Sequence, residues 1–241
     1  MKKSAFLLLS AFVFSAVFFF TSCDKPPITG GNVIEAKDVT SFPPENLEKI
    51  DKVKAFIFNQ SEFTYQEVAS CKFEKNGFTL TLPENVSENF LMSIASQVPP
   101  GIKMNPTDAK RSLILIAAID RSGKQIGYLF FASDNLFKSP HAKLTYTTDF
   151  LYFDRNVTIK GNYSYESYNT KYDCSFKKGW NILYYRVKYD NETISIPLLS
   201  TSKPSGVNFQ WFFLEGIPLD YKNVISPLKI HEQIISTMPP F

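Results

Sequence analysis

The stretch SLILIAAIDRSGKQIGYLFFA, residues 112–132, decides the fold. From Leu113 to Ile119 it is apolar at every position, so a strand built from it is covered on both faces and lies in the middle of a sheet. Ser122-Gly123 then supplies a tight turn, and Gln125 to Ala132 returns as a second apolar, aromatic-rich strand. A β-hairpin at the centre of a sheet is the reading from which the rest follows.

Outward from this hairpin, short segments rich in Phe, Tyr, Ile, Val and Thr alternate with turn residues. Strands are expected at Val53–Phe58, Tyr65–Phe73 and Phe78–Leu82 on the amino-terminal side. On the other side they are expected at Leu144–Phe153, Val157–Tyr165, Tyr172–Phe176, Trp180–Tyr189, Thr193–Leu199 and Val207–Leu214. Asn76-Gly77 and Asp190-Asn191 read as further hairpin turns. Within Trp180–Tyr189, Leu183, Tyr185 and Val187 alternate with Tyr184, Arg186 and Lys188, the pattern of a strand with two unlike faces. The expected class is all-β and mainly antiparallel, a β-sandwich of one body or of two packed β subdomains divided near residue 140.

Helix is scarce. Asn85 to Val98 places Val86, Phe90, Leu91, Ile94 and Val98 on one helical stripe, with Asn85 and Glu88 positioned as a capping box. A second short helix is expected in the carboxy-terminal segment 217–241, beginning at Ser226-Pro227 and ending before Pro239.

The amino terminus reads as an export signal over residues 1–22: Lys2 and Lys3 precede an uncharged apolar run from Ala5 to Phe20. Phe20-Thr21-Ser22-Cys23 resembles a lipobox, so Cys23 is expected to become a lipidated amino terminus and to anchor the chain to a membrane. Residues 23–50 carry Pro26-Pro27, Gly30-Gly31 and Pro43-Pro44 and read as a flexible tether; the alternative is that Val33 to Val39 adds an edge strand to the domain. The β-sandwich domain is then 51–216. The expected location is the cell envelope, at the outer membrane, facing either the periplasm or the surface.

The formal charge of +3 falls to +1 once Lys2 and Lys3 are removed, which gives no basis for nucleic acid as a partner. Cys71 and Cys174 would remain in an oxidising compartment, where they either form a disulfide or stay buried as small hydrophobes. They sit at matching places in two similar segments, Cys71 to Leu80 and Cys174 to Ile182. That is either a repeated hairpin or convergence on one turn composition.

No catalytic signature is present: no nucleophile elbow, Walker loop or dinucleotide fingerprint occurs, and His141 and His231 are not in a metal-ligand spacing. Acids that could pair for glycoside hydrolysis are Glu62, Glu67, Asp149, Asp154, Glu166 and Asp173, without a pattern that selects two of them. Neither a metal nor a cofactor is expected. Aromatics concentrate between Tyr163 and Tyr189. Trp180, Tyr184 and Arg186 share one strand face there, and they are the candidate contact for a glycan or an envelope protein. Sheet packing is the bland account of the same residues, and Lys171, Lys177 and Lys178 read as a solvated rim.

The lipobox, Lys160-Gly161-Asn162-Tyr163, Lys177-Lys178-Gly179-Trp180-Asn181 and Lys203-Pro204-Ser205-Gly206 together resemble uncharacterised β-rich lipoproteins of Bacteroides-type bacteria. The resemblance implies an envelope location and a β fold and carries no site residue. The expected function is a non-catalytic binding or interaction module. The alternatives are a hydrolase of envelope or host glycans and a structural subunit of a surface assembly.

Overall fold

The computed structural model describes residues 28–29, 31–41, 44–59, 64–95, 98–133, 144–165, 168–190 and 193–216. Among the described residues short strands come first: β1 (Ile28–Thr29), β2 (Val33–Ala36) and β3 (Thr40–Ser41), followed by a 3₁₀ segment at Pro44–Lys49. Next come β4 (Lys52–Asn59), β5 (Thr64–Lys72), β6 (Phe78–Thr81), β7 (Met92–Ser93) and β8 (Lys103–Asn105). The central hairpin is β9 (Lys110–Ile119) and β10 (Gln125–Ala132). The remainder is β11 (Leu144–Phe153), β12 (Val157–Tyr165), β13 (Tyr168–Phe176), β14 (Gly179–Asp190), β15 (Thr193–Ser200) and β16 (Gln210–Glu215).

Among the described residues the fold is nearly all β, as the strand pattern implies. Thirteen strands form one open, mostly antiparallel sheet, and β1, β2 and β6 form a small second sheet. The apolar strand β9 is central, pairing with β4 and β7 along one edge and with β10 and β11 along the other.

Side-chain alternation on β11 and β14 feeds two hydrophobic cores on opposite faces of this sheet. Phe150, Tyr152, Ile182 and Trp180 join the first core. There the small sheet brings Ile34, Ala36, Phe78 and Leu80 down onto Val53, Ile57, Ile116, Phe131, Trp211 and Phe213. Leu151, Phe153, Leu183, Tyr185 and Val187 point the other way, into the second core. The sheet makes this second core by curling: β15 pairs antiparallel with β14 and parallel with β13, which brings Val157, Cys174 and Phe176 over β11. The Phe153 and Phe176 rings stack there at 4.2 Å. Burying one such ring contributes about 1.5–3 kcal/mol, so paired aromatics dominate both layers.

Several expectations give way. The helix expected over Asn85 to Val98 is not formed among the described residues: Glu88–Phe90 is one 3₁₀ turn, and Met92–Ser93 pairs with Arg111 and Lys110. The apolar stripe is real, but Val86 and Phe90 enter the first core and Ile94 the second. One helical stripe cannot face two cores on opposite sides of a sheet, whereas an extended chain crossing between them can. The helix expected from Ser226 lies outside the described residues.

From Val33 onward the expected tether is part of the fold. β2 runs antiparallel to β6, and Ile34, Ala36, Val39, Leu47 and Ile50 are buried. The alternation is only four residues long, too short to stand out among the prolines and glycines around it. Cys23 and the rest of the leader lie outside the described residues.

The turn expected at Asn76-Gly77 is centred one residue earlier. Lys75 and Asn76 both have positive φ, 52° and 55°, and Glu74 and Gly77 exchange backbone hydrogen bonds of 3.0 Å. That is the geometry of a type I′ turn. It does not continue as a hairpin, because β6 leaves to pair with β2 in the small sheet. The similar segment at Lys177-Lys178-Gly179 is also a corner, since β13 and β14 are separated by β15. The likeness of the two segments therefore marks two chain corners rather than a repeated hairpin. Val207 to Phe209 is likewise not strand; β16 begins at Gln210.

Candidate functional site

Trp180, Tyr184 and Arg186 do project from one face of β14, since their register partners on β11 are Tyr152, Thr148 and Tyr146. They do not form the exposed platform expected of them. Trp180 is 7 % exposed, meets Tyr152 edge-on at 5.3 Å and donates its indole N–H to the Pro83 carbonyl at 2.7 Å. Tyr184 is 3 % exposed, and burial pushes its hydroxyl up to about 12. The face that carries them is the first-core face, so position on β14 sends both rings inward.

Only Arg186, at the far end of that face, stays part-exposed. Its neighbourhood is set by the connection between β15 and β16, which folds Phe209 over the sheet. The Phe209 ring lies 5.3 Å from Phe131, 5.3 Å from Tyr184 and 6.4 Å from Tyr146, and the Lys203 ammonium sits 5.8 Å from its centroid. Phe209, Tyr146, Lys203 and Arg186 each keep part of their surface exposed. The Arg186 Nε is buried without a hydrogen-bond partner among the described residues. The result is an aromatic and cationic patch at the rim of the first core, of a kind that suits stacking and planar hydrogen bonding.

A second constellation, which sequence reasoning did not assemble, occupies the opposite face. β10 and β11 both leave the edge of β9 and then meet each other. The pairs Leu113 with Leu151, Ala117 with Tyr128 and Ala132 with Thr147 mark the corners of a triangular fork. The Thr148 hydroxyl bridges the fork by donating to the Phe131 carbonyl at 2.8 Å. Asp149 lies midway along the β11 side. Its face of that strand also carries Thr145, Thr147, Leu151 and Phe153, with Arg111 opposite Phe153 and Tyr185 opposite Thr147.

The electrostatics of this cluster are unusual. Burial pushes the Asp149 carboxyl up to about 6, against the opposing pull of the Arg111 charge and of the Tyr185 hydroxyl, which donates to Oδ1 at a long 3.4 Å. Burial likewise lowers Arg111 from its ordinary value, with the Asp149 charge resisting. The Thr145 and Thr147 hydroxyls are buried at 1 % exposure and have no hydrogen-bond partner among the described residues. Such orphaned groups cost roughly 1–3 kcal/mol each.

The other acids considered for hydrolysis are engaged at the surface. Glu67 pairs with Lys54, Asp154 with Arg155 and Asp173 with Lys160; Glu62 and Glu166 lie outside the described residues. Lys171, Lys177 and Lys178 are exposed. Cys71 and Cys174 are both free thiols: Cys71 packs beside the first core and Cys174 lies within the second, so no bridge joins them. Burial pushes the two thiols up to about 11 and about 12. Among the described residues no three His, Cys, Asp or Glu side chains gather as metal ligands, and no helix is long and apolar enough to cross a membrane. His141 and His231 lie outside the described residues.

Comparison with protein-family models, curated proteins and solved structures finds no match to this chain. Of the fork residues, only Asp149 was singled out by sequence. The available signal was the polar run Thr145, Thr147, Asp149 at alternate positions: a polar face where a covered strand should be apolar.

Proposed function

We propose that the chain is a lipid-anchored protein of the cell envelope, and that its β body is a non-catalytic binding module for a glycan or an envelope protein. The observation that carries the binding reading is the convergence of part-exposed Phe209, Tyr146, Arg186 and Lys203 at one rim of the sheet. Aromatic faces offer stacking surface, and the guanidinium offers a planar fork of donors to hydroxyl or acidic groups. Tyr184 serves this patch from beneath, as packing against Phe209. The anchor rests on the sequence: Lys2 and Lys3, an uncharged run, then Thr21-Ser22-Cys23-Asp24.

Two experiments test the two parts. Metabolic labelling with a fatty acid is expected to mark the wild type and not Cys23→Ala; equal labelling of both ends the lipoprotein reading. A glycan and envelope-protein binding screen is then repeated with Phe209→Leu and Arg186→Gln. Loss of one stacked ring weakens binding by about 1 kcal/mol. A ligand whose affinity neither substitution alters binds elsewhere.

A hydrolase of glycans draws less support, because Glu67, Asp154 and Asp173 are committed to surface ion pairs. For an assembly subunit, an apolar open edge would be the sign. The edge strand β5 pairs only with β4 among the described strands, but its side chains are largely exposed and polar.

A further inference from the structure

We propose that the fork between β9, β10 and β11 is a second binding site, one that takes a neutral, hydroxyl-bearing ligand of the sugar or polyol class through Asp149, Arg111, Thr145, Thr147 and Tyr185. It lies on the opposite face of the sheet from the Phe209 patch and does not depend on the reading of that patch.

Three features argue for it. First, hydrogen-bonding capacity is left over. An ionised carboxylate offers about four acceptor positions. Among the described residues the Asp149 carboxyl receives only the 3.4 Å bond from Tyr185. Thr145 and Thr147 add two hydroxyls, each donor and acceptor, that no described residue engages. Native structures leave few such groups unsatisfied, and those that remain call for an explanation. Second, these groups share one strand face with Leu113 and Leu151, so polar atoms converge within an apolar frame, as in small-molecule sites. Asp149 and Arg111 each keep part of their surface exposed.

Third, the charges select the ligand. Asp149 and Arg111 carry opposite charges in the cluster, so the fork holds no net charge with which to draw in an anion or a cation. A neutral group with both donors and acceptors needs no such charge. Its hydroxyl hydrogens suit Asp149, and the threonines suit either its hydrogens or its oxygens.

The test uses the full chain in detergent, titrated with neutral monosaccharides and glycerol, and separately with inorganic phosphate and ethylamine. Binding is read by calorimetry and by the shift in thermal midpoint. The expected result is saturable stabilisation by at least one neutral sugar. Thr147→Val keeps the shape and removes only the hydroxyl, so it is expected to weaken that binding about tenfold while leaving the unliganded fold at least as stable. Loss of that binding on Phe209→Leu would place it at the patch on the other face and overturn the proposal. Asp149→Asn is the second variant; where it fails to fold beside an unbalanced Arg111, Thr147→Val alone decides. The proposal is overturned by the absence of saturable sugar binding in the wild type, by sugar binding indifferent to Thr147→Val, or by phosphate or ethylamine binding in place of sugar.

Discussion

The Trp180 indole N–H donates to the carbonyl of Pro83 at 2.7 Å, tying the start of β14 to the chain that leaves the small sheet after β6. Ninety-seven residues separate the two groups. The bond satisfies a buried donor and fixes the ring that closes one end of the first core. Trp180→Ala is expected to lower unfolding free energy by about 3–5 kcal/mol, and Trp180→Phe, which mainly strands the Pro83 carbonyl, by about 1–3 kcal/mol. Urea denaturation measures both. A near-neutral Trp180→Ala would mean that the ring is peripheral to the core.

Gly127 makes a test of the β10 and β16 ladder. A Cβ built there lies 2.0 Å from the Leu214 carbonyl oxygen and 2.7 Å from the Phe213 ring. Backbone cannot yield as a side chain tip can, so Gly127→Ala is expected to destabilise by at least about 3 kcal/mol, beyond ordinary overpacking. Gly123, in the turn of the central hairpin, has open space around it but a φ of +85°. Gly123→Ala is expected to cost only about 1–2 kcal/mol, through backbone conformation alone. Thermal midpoints that fell in the opposite order would contradict the register of β16.

Asp149 gives stability a pH dependence whose sign is set by its surroundings. In the unfolded chain its carboxyl titrates near the ordinary value of about 3.9, and in the fold it is pushed up to about 6. Between those values the folded state holds a proton that the unfolded state lacks, so this group makes the protein more stable as pH falls from about 6 toward about 4. Arg111 and Tyr185 are the groups that act on it. The urea midpoint of the wild type, minus that of Asp149→Asn, is expected to rise across that window. A flat difference would show that the carboxyl is solvated in the fold.

The thiols supply a chemical readout of both cores. With Cys71 pushed up to about 11 and Cys174 to about 12, the thiolate fraction at pH 8 is on the order of a hundredfold or more below that of an ordinary cysteine. Iodoacetamide is expected to label both slowly in native protein and rapidly in denaturant, without prior reduction. A mass two hydrogens lower, with neither thiol alkylated in denaturant, would instead show that Cys71 and Cys174 are bridged.

Much of the fold was legible because strand signals are local. The all-apolar run Leu113–Ile119, the turn at Ser122-Gly123 and the alternation of Leu183, Tyr185 and Val187 mark strand and turn directly, a few residues at a time. Sequence by itself therefore determined the class, most strand positions, and which residues of β14 share a face. It could not say what covers each face. Trp180 points into the first core, Tyr184 is covered by Phe209 and Arg186 emerges at the rim, because the small sheet and Phe209 settle over that side of β14. The stripe Val86, Phe90, Ile94 looked helical because its residues are buried at helical spacing, yet they serve two cores. Asp149 feels the Arg111 charge only because β11 pairs with β9, a choice that local sequence does not make. Period and propensity act over a few residues. The partner of a face, and the point where a sheet divides, are set by which long-range packing buries the most apolar surface, and that is decided only when the whole chain folds.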